Sequence, residues 1–309
     1  MSAFDHETVV VAGEALIDLV LAQDGRLDGH PGGGPYNVAR TIGRLEQPVS
    51  YLGCLSSDGF GRRLRRELEA DGVDLDSVVA TDAPTTLALV ELDAHGAARY
   101  RFYDQGTAAP GLTEADALAA LPGSAAFLHV GTLGLVLEPM ASALEALAAA
   151  LAGRALVMVD PNCRPPTIVD PPAYRARLGR VLAGADVVKV SEEDLEWLAP
   201  GVAAVDAARA LLGRGPAVVL LTRGGAGATV LSAGRAAAVP APPVDVVDTI
   251  GAGDAFSGGW LAWWSQQGLG RDELGDAERV VAATRFACRV AARTCARAGA
   301  SPPWRAELA

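Results

Sequence analysis

Short runs of β-branched and apolar residues alternate with helical patterns along almost the whole chain. The runs TVVVAG, VSYLG and AFLHVG are each followed by a segment with a helical pattern, and RALVMVD, DVVKV and AVVLLT continue the series. Such alternation is typical of right-handed βαβ units, which build a parallel sheet with helices on both faces. The pattern therefore predicts an α/β fold around a mainly parallel central sheet.

Two helix starts carry a capping pattern. Thr113 is followed by Asp116, and Ser191 by Asp194, so an acidic residue stands three positions after a hydroxyl residue in both places. A hydroxyl at the N-cap and an acid at the third helical position can each accept a hydrogen bond from the other's backbone N–H group. We therefore expect helices to begin at these two points.

Two segments depart from the alternation. Residues 14–31 are extended and rich in turn residues, whereas residues 85–103 alternate with a period of two around a turn near Ala94 to Gly96. An antiparallel insertion in a parallel α/β domain usually covers a site, so segments 14–31 and 85–107 are expected to form one small β-sheet that acts as a lid. No repeat, low-complexity tract or linker divides the chain, and residues 1–309 are predicted to form a single domain.

Composition narrows the range of partners. The 309 residues are 50% apolar, which is enough for a full-sized core, and they carry a net charge of -11 with a pI near 4.9. Nucleic acids and anionic membrane surfaces are bound through basic patches, so neither is expected as a partner. Small molecules are the expected ligands.

The amino terminus, the cysteines and one histidine add further expectations. MSAFDHETVV carries Asp5 and Glu7 where a secretory signal would carry basic residues, and the apolar stretches are too broken to span a bilayer, so a cytoplasmic location is expected. The four cysteines have no zinc or redox spacing and are expected to be free, mostly buried thiols. His129, within AFLHVG, is expected to be a hydrogen-bonded core residue.

The stretch DTIGAGDAF, residues 248–256, holds the strongest chemical signal. The chain has neither GxxxxGK[ST] nor GxGxxG, so these glycines belong to neither of those phosphate-binding motifs. Gly251 and Gly253 would let backbone N–H groups converge on an anion at the start of a helix, where the helix dipole adds positive potential. Asp254 would then take a proton from a hydroxyl beside that anion. A plain tight turn with a carboxylate near the helix start fits equally well, and the pattern alone leaves both interpretations open.

A resemblance to a known family favours the first interpretation. DTIGAGDAF resembles the C-terminal signature of the ribokinase-like (PfkB) carbohydrate kinases, and PGGGPYNVAR, residues 31–40, resembles their N-terminal signature. Further similar stretches lie along nearly the whole chain, among them GEALIDL, DPNCRP, KVSEEDLEWL and LLTRGGAGA. Within the family, these stretches are most similar to those of bacterial fructokinases.

The resemblance implies a ribokinase-like three-layer α/β sandwich with a β-sheet lid, and transfer of the γ-phosphoryl group of ATP to a sugar hydroxyl with Mg²⁺. Asp254 matches the family's catalytic base, and the amides of Gly251, Ala252 and Gly253 match its anion hole. Arg164, in DPNCRP, resembles an arginine that meets the transferring phosphate or the sugar, although a surface ion pair would also explain it.

For the sugar, the resemblance implies contacts from several segments. Asp18 resembles an acceptor for sugar hydroxyls, with a solvated strand-end carboxylate as the alternative. Phe102 or Tyr103 would cover the sugar ring, and alternation puts only one of them on the inner face. Tyr36 stands where most relatives have a small residue, and it is expected to stack on the substrate or to narrow the cavity. The expected sugar contacts are Asp18, Gly32, Gly33, Asn37, Tyr103 and Asn162.

For the nucleotide, the resemblance implies contacts near the ends of two strands. The expected residues are Lys189, Ser191, Asp194, Thr222, Gly224 and Gly227. Ser191 and Asp194 stand where many relatives have Asn-x-x-Glu, and a shorter carboxylate still suits a magnesium ion held through waters. A monovalent cation such as K⁺ is expected near Asp248, Ile250 and the AGAS segment, and dimerisation through the lid is a further family trait.

Three functions stay open at this point. A kinase acting on fructose leads; a kinase acting on a nucleoside or on the acid sugar 2-keto-3-deoxygluconate comes second; a non-catalytic sugar or nucleotide sensor comes third. An intact Asp254 behind an intact GAG turn disfavours the sensor. Asp104 and Gln105, at the end of the expected lid, offer no cation for an acid sugar, whereas no residue excludes a nucleoside.

Overall fold

Parallel strands and the helices that connect them account for most of the molecule, which is represented by a computed structural model describing residues 7–21, 25–92 and 98–308. The described strands, in chain order, are β1 Thr8–Ala12, β2 Leu16–Leu21, β3 Leu27–Gly32, β4 Val49–Leu52, β5 Cys54–Ser56, β6 Val79–Thr81, β7 Leu87–Leu92, β8 Ala98–Tyr103, β9 Ala125–Gly131, β10 Leu156–Asp160, β11 Val187–Ser191, β12 Val218–Thr222, β13 Ala228–Ser232 and β14 Arg235–Val239. The described α-helices are α1 Gly34–Arg44, α2 Gly59–Ala70, α3 Glu114–Ala120, α4 Met140–Leu151, α5 Pro171–Ala183, α6 Glu192–Leu198, α7 Ala204–Leu212, α8 Ala252–Gln266 and α9 Ala277–Cys295.

The central sheet has eight strands in the order β14-β13-β12-β11-β10-β9-β1-β4. The pairs from β4 through β12 are parallel, whereas β13 near one edge pairs antiparallel with both of its neighbours, β12 and β14. The strands are apolar on both faces because helices cover both faces, which is the usual condition of a parallel sheet. The predicted α/β class with a mainly parallel central sheet is confirmed.

Two large clusters of buried apolar residues form the two interfaces between the sheet and its helices. Alternate residues of one strand enter different clusters, so Val9 belongs to the cluster beneath α1, α8 and α9, and Val10 to the cluster beneath α4, α5 and α7. In the first cluster, the rings of Trp260 and Trp264 stack with centroids 4.7 Å apart. This packing fixes α8, which carries Asp254 in its first turn.

Both predicted helix caps are present. The hydroxyl of Thr113 accepts a hydrogen bond from the Asp116 amide at 3.2 Å, and α3 begins at the next residue. Ser191 and Asp194 form a complete capping box, in which each side chain accepts from the other residue's backbone N–H. The sequence pattern therefore located these two helix starts correctly.

A second sheet, of four strands in the order β3-β2-β7-β8, lies beside the central sheet. Strands β2 and β7 pair in parallel and join residues from the two segments that break the alternation, as predicted. Strands β7 and β8 form an antiparallel pair, and the turn predicted near Ala94 to Gly96 lies outside the described residues. A small cluster of Leu16, Ala88 and Leu133, with Phe102 against it, packs beside this sheet.

Several smaller expectations can also be compared with the structure. Cys54, Cys163 and Cys288 are buried and free, as predicted, and Cys295 is partly buried. His129 is buried on β9, but its two ring nitrogens have no hydrogen-bond partner in the described part of the chain, so the expectation of a hydrogen-bonded histidine was wrong. Burial, together with the charge of Lys189, lowers the pKa of His129 to about 3. In the described ranges, no helix combines the length and the apolar character that crossing a membrane requires.

Candidate active site

A cavity of about 400 Å³ lies at the carboxyl ends of the central strands, and we call it the Asp254 cavity. Its walls come from the residues that follow β1 and β10, from the start of α1, from the small sheet and from the first turn of α8. Its lining residues are Glu14, Leu16, Asp18, Gly33, Gly34, Asn37, Phe102, Thr132, Leu133, Asn162, Arg164, Thr249, Ile250, Gly251, Gly253 and Asp254. A wider groove of about 570 Å³, between Asp104 and Arg180, holds none of the predicted site residues.

A second cavity, of about 230 Å³, lies on the other side of the α8 start, and we call it the Gly227 cavity. Its lining residues include Thr222, Gly224, Gly227, Val246, Ala252, Phe256 and Cys295. Thr249 and Gly253 line both cavities. Ligands bound in the two cavities would therefore contact each other at the glycine turn before α8.

Asp254 occupies the first turn of α8 and is only 8% exposed. Its Oδ2 accepts a hydrogen bond of 2.8 Å from Nδ2 of Asn37, which α1 carries into the cavity. Burial raises the pKa of Asp254, while the Asn37 hydrogen bond and the charges of Lys189 and Arg164 act against that rise. A buried carboxylate with a raised pKa and one hydrogen bond is suited to accept a proton.

Neighbouring atoms, as well as the backbone conformation, require glycine in this turn. Gly251 has a left-handed φ of 76°, and a Cβ there would lie 2.6 Å from Cβ of Ala300. A Cβ at Gly253 would lie 2.9 Å from Nζ of Lys189. The Ala252 amide donates to the carbonyl of Thr249 at 3.2 Å, so one of the three amides expected at the anion is engaged within the turn.

Lys189, which was expected to contact the nucleotide, lies beneath the glycine turn and does not line the Gly227 cavity. It is 4% exposed, and its Nζ donates to Oδ2 of Asp160 at 2.9 Å. Burial alone would lower the pKa of Lys189, but the carboxylates of Asp160, Asp194 and Asp254 outweigh it and the net shift is upward. Burial raises the pKa of Asp160 to about 6 despite its partner. The ammonium therefore adds fixed positive charge behind the turn.

Asp194, which was also expected near the nucleotide, is hydrogen-bonded within the chain. Its Oδ1 accepts from the Cys163 amide at 2.6 Å, and its Oδ2 accepts from both the amide and the hydroxyl of Ser191. Both oxygens are thus used within the chain, because the capping box and the loop after β10 need them. The structure places Ser191 and Asp194 as a support of α6 and of that loop, not in the lining of either cavity.

On the opposite wall of the Asp254 cavity, Asp18 projects from β2. A Cβ at Gly32 would lie 2.2 Å from Oδ2 of Asp18, so glycine at that position makes room for the carboxylate. Burial and the charge of Asp254 raise the pKa of Asp18 to about 6, and Arg164 acts against the rise. Gly33, with a φ of 109°, takes a conformation that other residues rarely adopt.

Arg164 and Asn162 reach the cavity from the loop after β10. Asn162 has a φ of 36°, and its Oδ1 accepts from Nη1 of Arg164 at 2.6 Å. Backbone carbonyls of Asn162 and Cys163 accept from the same nitrogen at 3.2 Å. These bonds fix the guanidinium at the cavity, where its positive charge opposes the rise in the pKa of both Asp18 and Asp254.

Of the two aromatic residues considered for the sugar ring, Phe102 and not the named contact Tyr103 is on the cavity side, and the expectation that Tyr36 reaches the cavity was wrong. Phe102 lines the cavity, whereas Tyr103 is 51% exposed, because Phe102 pairs with the buried Ala88 and shares its face of the sheet. Tyr36 is fully buried, with its hydroxyl 3.4 Å from the carbonyl of Leu64, so it neither stacks in the cavity nor narrows it. The helical position of Tyr36 turns the ring toward α2.

The two glycines expected to contact the nucleotide differ in how strictly their positions require glycine. Gly227 has a φ of 91°, and a Cβ there would lie 2.1 Å from the carbonyl oxygen of Val239. Gly224 has a φ of 51°, and a Cβ there would meet no other atom within 4 Å. Thr222, at the end of β12, donates from its hydroxyl to the carbonyl of Val190 at 3.2 Å.

The segments expected around a monovalent cation lie together. Oδ1 of Asp248 accepts from the Ile250 amide at 3.0 Å, and Oδ2 accepts from the Gly299 amide at 2.8 Å. The described residues contain no group of three or more His, Cys, Asp or Glu side chains placed to hold a metal ion. Magnesium usually keeps several waters and binds through substrate phosphates with one or two carboxylates, so such a cage is not needed.

Several cavity residues were missed by reasoning from the sequence. Glu14, Thr132, Leu133 and Thr249 all line the Asp254 cavity. Glu14 offered a signal, because an acidic residue directly after a buried strand lies at the edge where parallel sheets place their ligands.

Comparison with known proteins gives the same picture over the whole length. The model of the pfkB family of carbohydrate kinases matches residues 6–307. A fructokinase of Rhizobium leguminosarum bv. trifolii is 38% identical over 259 residues, covering 82% of this chain and 78% of the relative. The crystal structure of a fructokinase from Xylella fastidiosa with bound ATP has a TM-score of 0.89 and 30% identity, covering 98% of this chain and 97% of that one.

A fructokinase from Vibrio cholerae O395, in its fructose, ADP and calcium ion bound form, has a TM-score of 0.87 and 29% identity, covering 98% of this chain and 97% of that one. The match to the family extends over nearly every residue that forms the two cavities. The chain belongs to the pfkB family of carbohydrate kinases.

Proposed function

We propose that this carbohydrate kinase transfers the γ-phosphoryl group of ATP to a hydroxyl of D-fructose. The observation that carries the proposal is the position of Asp254, which faces one cavity at the turn shared with the other. The similarity to fructokinases with fructose, ADP or ATP bound supports the choice of both substrates.

The sugar would occupy the Asp254 cavity. Oδ1 of Asn37 is buried without a hydrogen-bond partner among the described residues, while Nδ2 of the same amide is held by Asp254. A buried acceptor without a partner is costly, and a sugar hydroxyl would satisfy it. Asp18 would accept from other hydroxyls, and Arg164 would donate to the sugar or to the transferring phosphate.

The charge of the cavity favours a neutral acceptor. Among the described residues, Glu14, Asp18 and Asp254 line it together with a single cation, Arg164. An acid sugar would place its carboxylate among these like charges, which is unfavourable without a second cation. A neutral polyol meets acceptors and donors without that cost.

Transfer would take place at the glycine turn. The carboxylate of Asp254 takes the proton of the attacking hydroxyl as its oxygen forms a bond to the γ-phosphorus, and the bond from that phosphorus to the β-phosphate oxygen of ADP breaks. The amides at the start of α8 and the ammonium of Lys189 behind them stabilise the charge on the transferring group.

ATP would lie in the Gly227 cavity, with Thr222 and Gly224 beside it. Magnesium bound to the phosphates would neutralise part of their charge. K⁺ would lie near the carbonyls of the turn that Asp248 joins to Gly299. The small sheet would close over the sugar and exclude water that competes as a phosphoryl acceptor.

A coupled ADP-release assay with Mg-ATP tests the proposal. The wild-type protein is compared with D-fructose, D-ribose, adenosine and 2-keto-3-deoxygluconate as acceptors, because discrimination is the ratio of their kcat/KM values. We expect fructose to exceed each of the others by about tenfold or more. If a competitor has a kcat/KM value that exceeds that of fructose by the same factor, fructose is not the preferred substrate, but the assignment as a kinase still holds.

A further inference from the structure

Glu14 is a buried carboxylate that the proposed transfer does not use. It is 2% exposed and follows β1, in the connection that leads to β2. Its Oε1 accepts from the Gly34 amide at 3.1 Å and from the hydroxyl of Thr132, and its Oε2 accepts from the Gly134 amide at 3.0 Å. Both oxygens are therefore occupied by the chain itself, so the carboxylate supports the cavity wall that it helps to line.

The bonds of Glu14 join three segments that each supply part of the Asp254 cavity. Its own connection leads into β2, which carries Asp18, and the Gly34 amide begins α1, which carries Asn37. The third segment supplies Thr132 and Leu133 to the cavity lining. These segments are separate in sequence, since Glu14 and Gly134 are 120 residues apart. One side chain thus fixes the relative position of three walls.

Two of the bonded segments hold a backbone conformation that needs support. Thr132 has a φ of 54°, in the left-handed region that non-glycine residues seldom adopt. Gly33 has a φ of 109°, and a Cβ there would lie 2.5 Å from the Glu14 carbonyl oxygen. Such conformations persist when surrounding contacts over-determine them, and the Glu14 carboxylate provides contacts at both places.

We propose that Glu14 is a positioning residue for the sugar, whose hydrogen bonds to the α1 start and to the Thr132–Gly134 segment hold the Asp254 cavity in its binding shape. The proposal rests on the assignment of this cavity to the sugar. Loss of the Glu14 carboxylate would let the walls that carry Asp18 and Asn37 move apart, and sugar affinity would fall while phosphoryl transfer from a bound sugar continued.

Charge makes this support dependent on pH. An ionised carboxylate accepts all three hydrogen bonds, whereas a protonated one gives up acceptor capacity at one oxygen. Burial raises the pKa of Glu14 to about 7, opposed by its hydrogen bonds and reinforced by the charge of Asp254 on α8. Among the described residues, Tyr51 on β4 is a further titratable group affected by the charge of Glu14, and burial raises its pKa well above the usual value, so it stays neutral. Sugar affinity is therefore expected to weaken as the pH falls through about 7.

Steady-state kinetics of Glu14→Gln with D-fructose and Mg-ATP test the proposal, with Glu69→Gln as the matched control because Glu69 is exposed on α2. We expect Glu14→Gln to raise the fructose KM about tenfold, with kcat and the ATP KM within about threefold of wild type. When the pH is lowered from about 8 to about 6, the fructose KM of the wild type and of Glu69→Gln should rise about tenfold. The fructose KM of Glu14→Gln should rise about threefold or less over the same range. Glu14→Asp, which keeps the charge, should recover part of the affinity.

An unchanged fructose KM in Glu14→Gln, equal losses in kcat and in both KM values, or the full pH dependence persisting without the carboxylate would each overturn the proposal. If Glu14→Gln does not fold, the fructose affinity of the wild type is measured by calorimetric titration across the same pH range. An affinity that does not change with pH would overturn the proposal. The wild-type assay separates this from the proposed function, because a wild type without fructose turnover contradicts the function, whereas an active wild type beside an unaffected Glu14→Gln contradicts only the role of Glu14.

Discussion

The two cavities that meet at Gly253 are built in different ways. The Asp254 cavity presents charged side chains, with Asp18, Arg164 and Asp254 facing it, whereas the Gly227 cavity is lined mainly by glycine backbone and apolar side chains. Recognition by side chains depends on individual groups. Recognition by backbone is spread over a turn, and only a substitution to proline would remove one of its amide N–H groups. Single substitutions should therefore separate the functions of the two cavities, and the effects should be largest at the shared turn.

The largest effect is expected at the carboxylate beside that turn. Asp254→Asn should lower kcat by on the order of a hundredfold or more, because the amide cannot take the hydroxyl proton. Nucleotide binding, measured by calorimetric titration with ATP, should stay within about threefold of wild type because the Gly227 cavity is untouched. Exposed Asp76 provides the control variant Asp76→Asn. Turnover within a fewfold of wild type would remove Asp254 from the mechanism.

The second-largest effect is expected from loss of the Lys189 ammonium, which lies behind the shared turn. Lys189→Met leaves Asp160 buried without its partner, and it should lower the free energy of unfolding by about 3 to 5 kcal/mol, measured by urea denaturation. Its kcat should fall by on the order of tenfold, because the fixed positive charge beneath Gly253 is lost.

The double variant Lys189→Met/Asp160→Asn separates the two effects. With no buried charge left unpaired, it should recover much of the stability but not the turnover. Recovery of both would show that the ion pair serves the fold alone.

A substitution at Asp18 tests whether the Asp254 cavity binds the sugar separately from the nucleotide. Asp18→Asn should raise the fructose KM by about tenfold and leave the ATP KM unchanged, since an amide offers one acceptor where the carboxylate offers two. An equal rise in both KM values would contradict the division between the cavities.

The same substitution should change stability in a pH-dependent way. The pKa of Asp18 is raised to about 6 in the folded protein, so the folded state binds its proton more tightly than the unfolded state does. The stabilising contribution of Asp18 to the free energy of unfolding is fully present below its pKa in the unfolded chain, about 4. This contribution is lost as the pH rises through about 6. Asp18→Asn should therefore be more stable than wild type above about pH 6, by on the order of 2 kcal/mol, and equal to it near pH 4. Thermal unfolding at both pH values measures this, and a gain confined to the acid side would contradict it.

The smallest effect is expected at the backbone of the Gly227 cavity. Gly224→Ala meets open space, and the only obstacle is the φ of 51°. The ATP KM should rise about twofold to threefold, with the fructose KM unchanged, because the turn keeps its other amides. A loss of nucleotide binding as large as that of sugar binding in Asp18→Asn would show that single backbone positions matter as much as side chains.

The sequence supported the fold more directly than the site. Alternating apolar runs and helical patterns depend on local periodicity, and so do the caps at Thr113 and Ser191, which the structure confirms. Phe102 and Tyr103 could not be separated, because their choice depends on the register of β8 against β7. Tyr36 was expected in the cavity because its place in the signature does not reveal which face of α1 it occupies.

Polar residues at strand ends were harder to interpret. Lys189 and Asp194 stand where an open α/β sheet places its ligands, yet both are held by partners distant in sequence, Asp160 and Cys163. Glu14 was overlooked for the same reason, since its three hydrogen bonds connect segments that only the folded chain brings together. Asn37 and Asp254 are 217 residues apart, and only the resemblance to a family placed them in one site.

Transfer of label from [γ-³²P]ATP to D-fructose tests the central claim most directly, which is that a phosphoryl group passes between the two cavities across the glycine turn. The wild-type protein should convert the label into a fructose phosphate in equal amount to the ADP formed, and Asp254→Asn should do so on the order of a hundredfold more slowly. Label appearing as inorganic phosphate, or ADP formed at the same rate without the sugar, would contradict the claim.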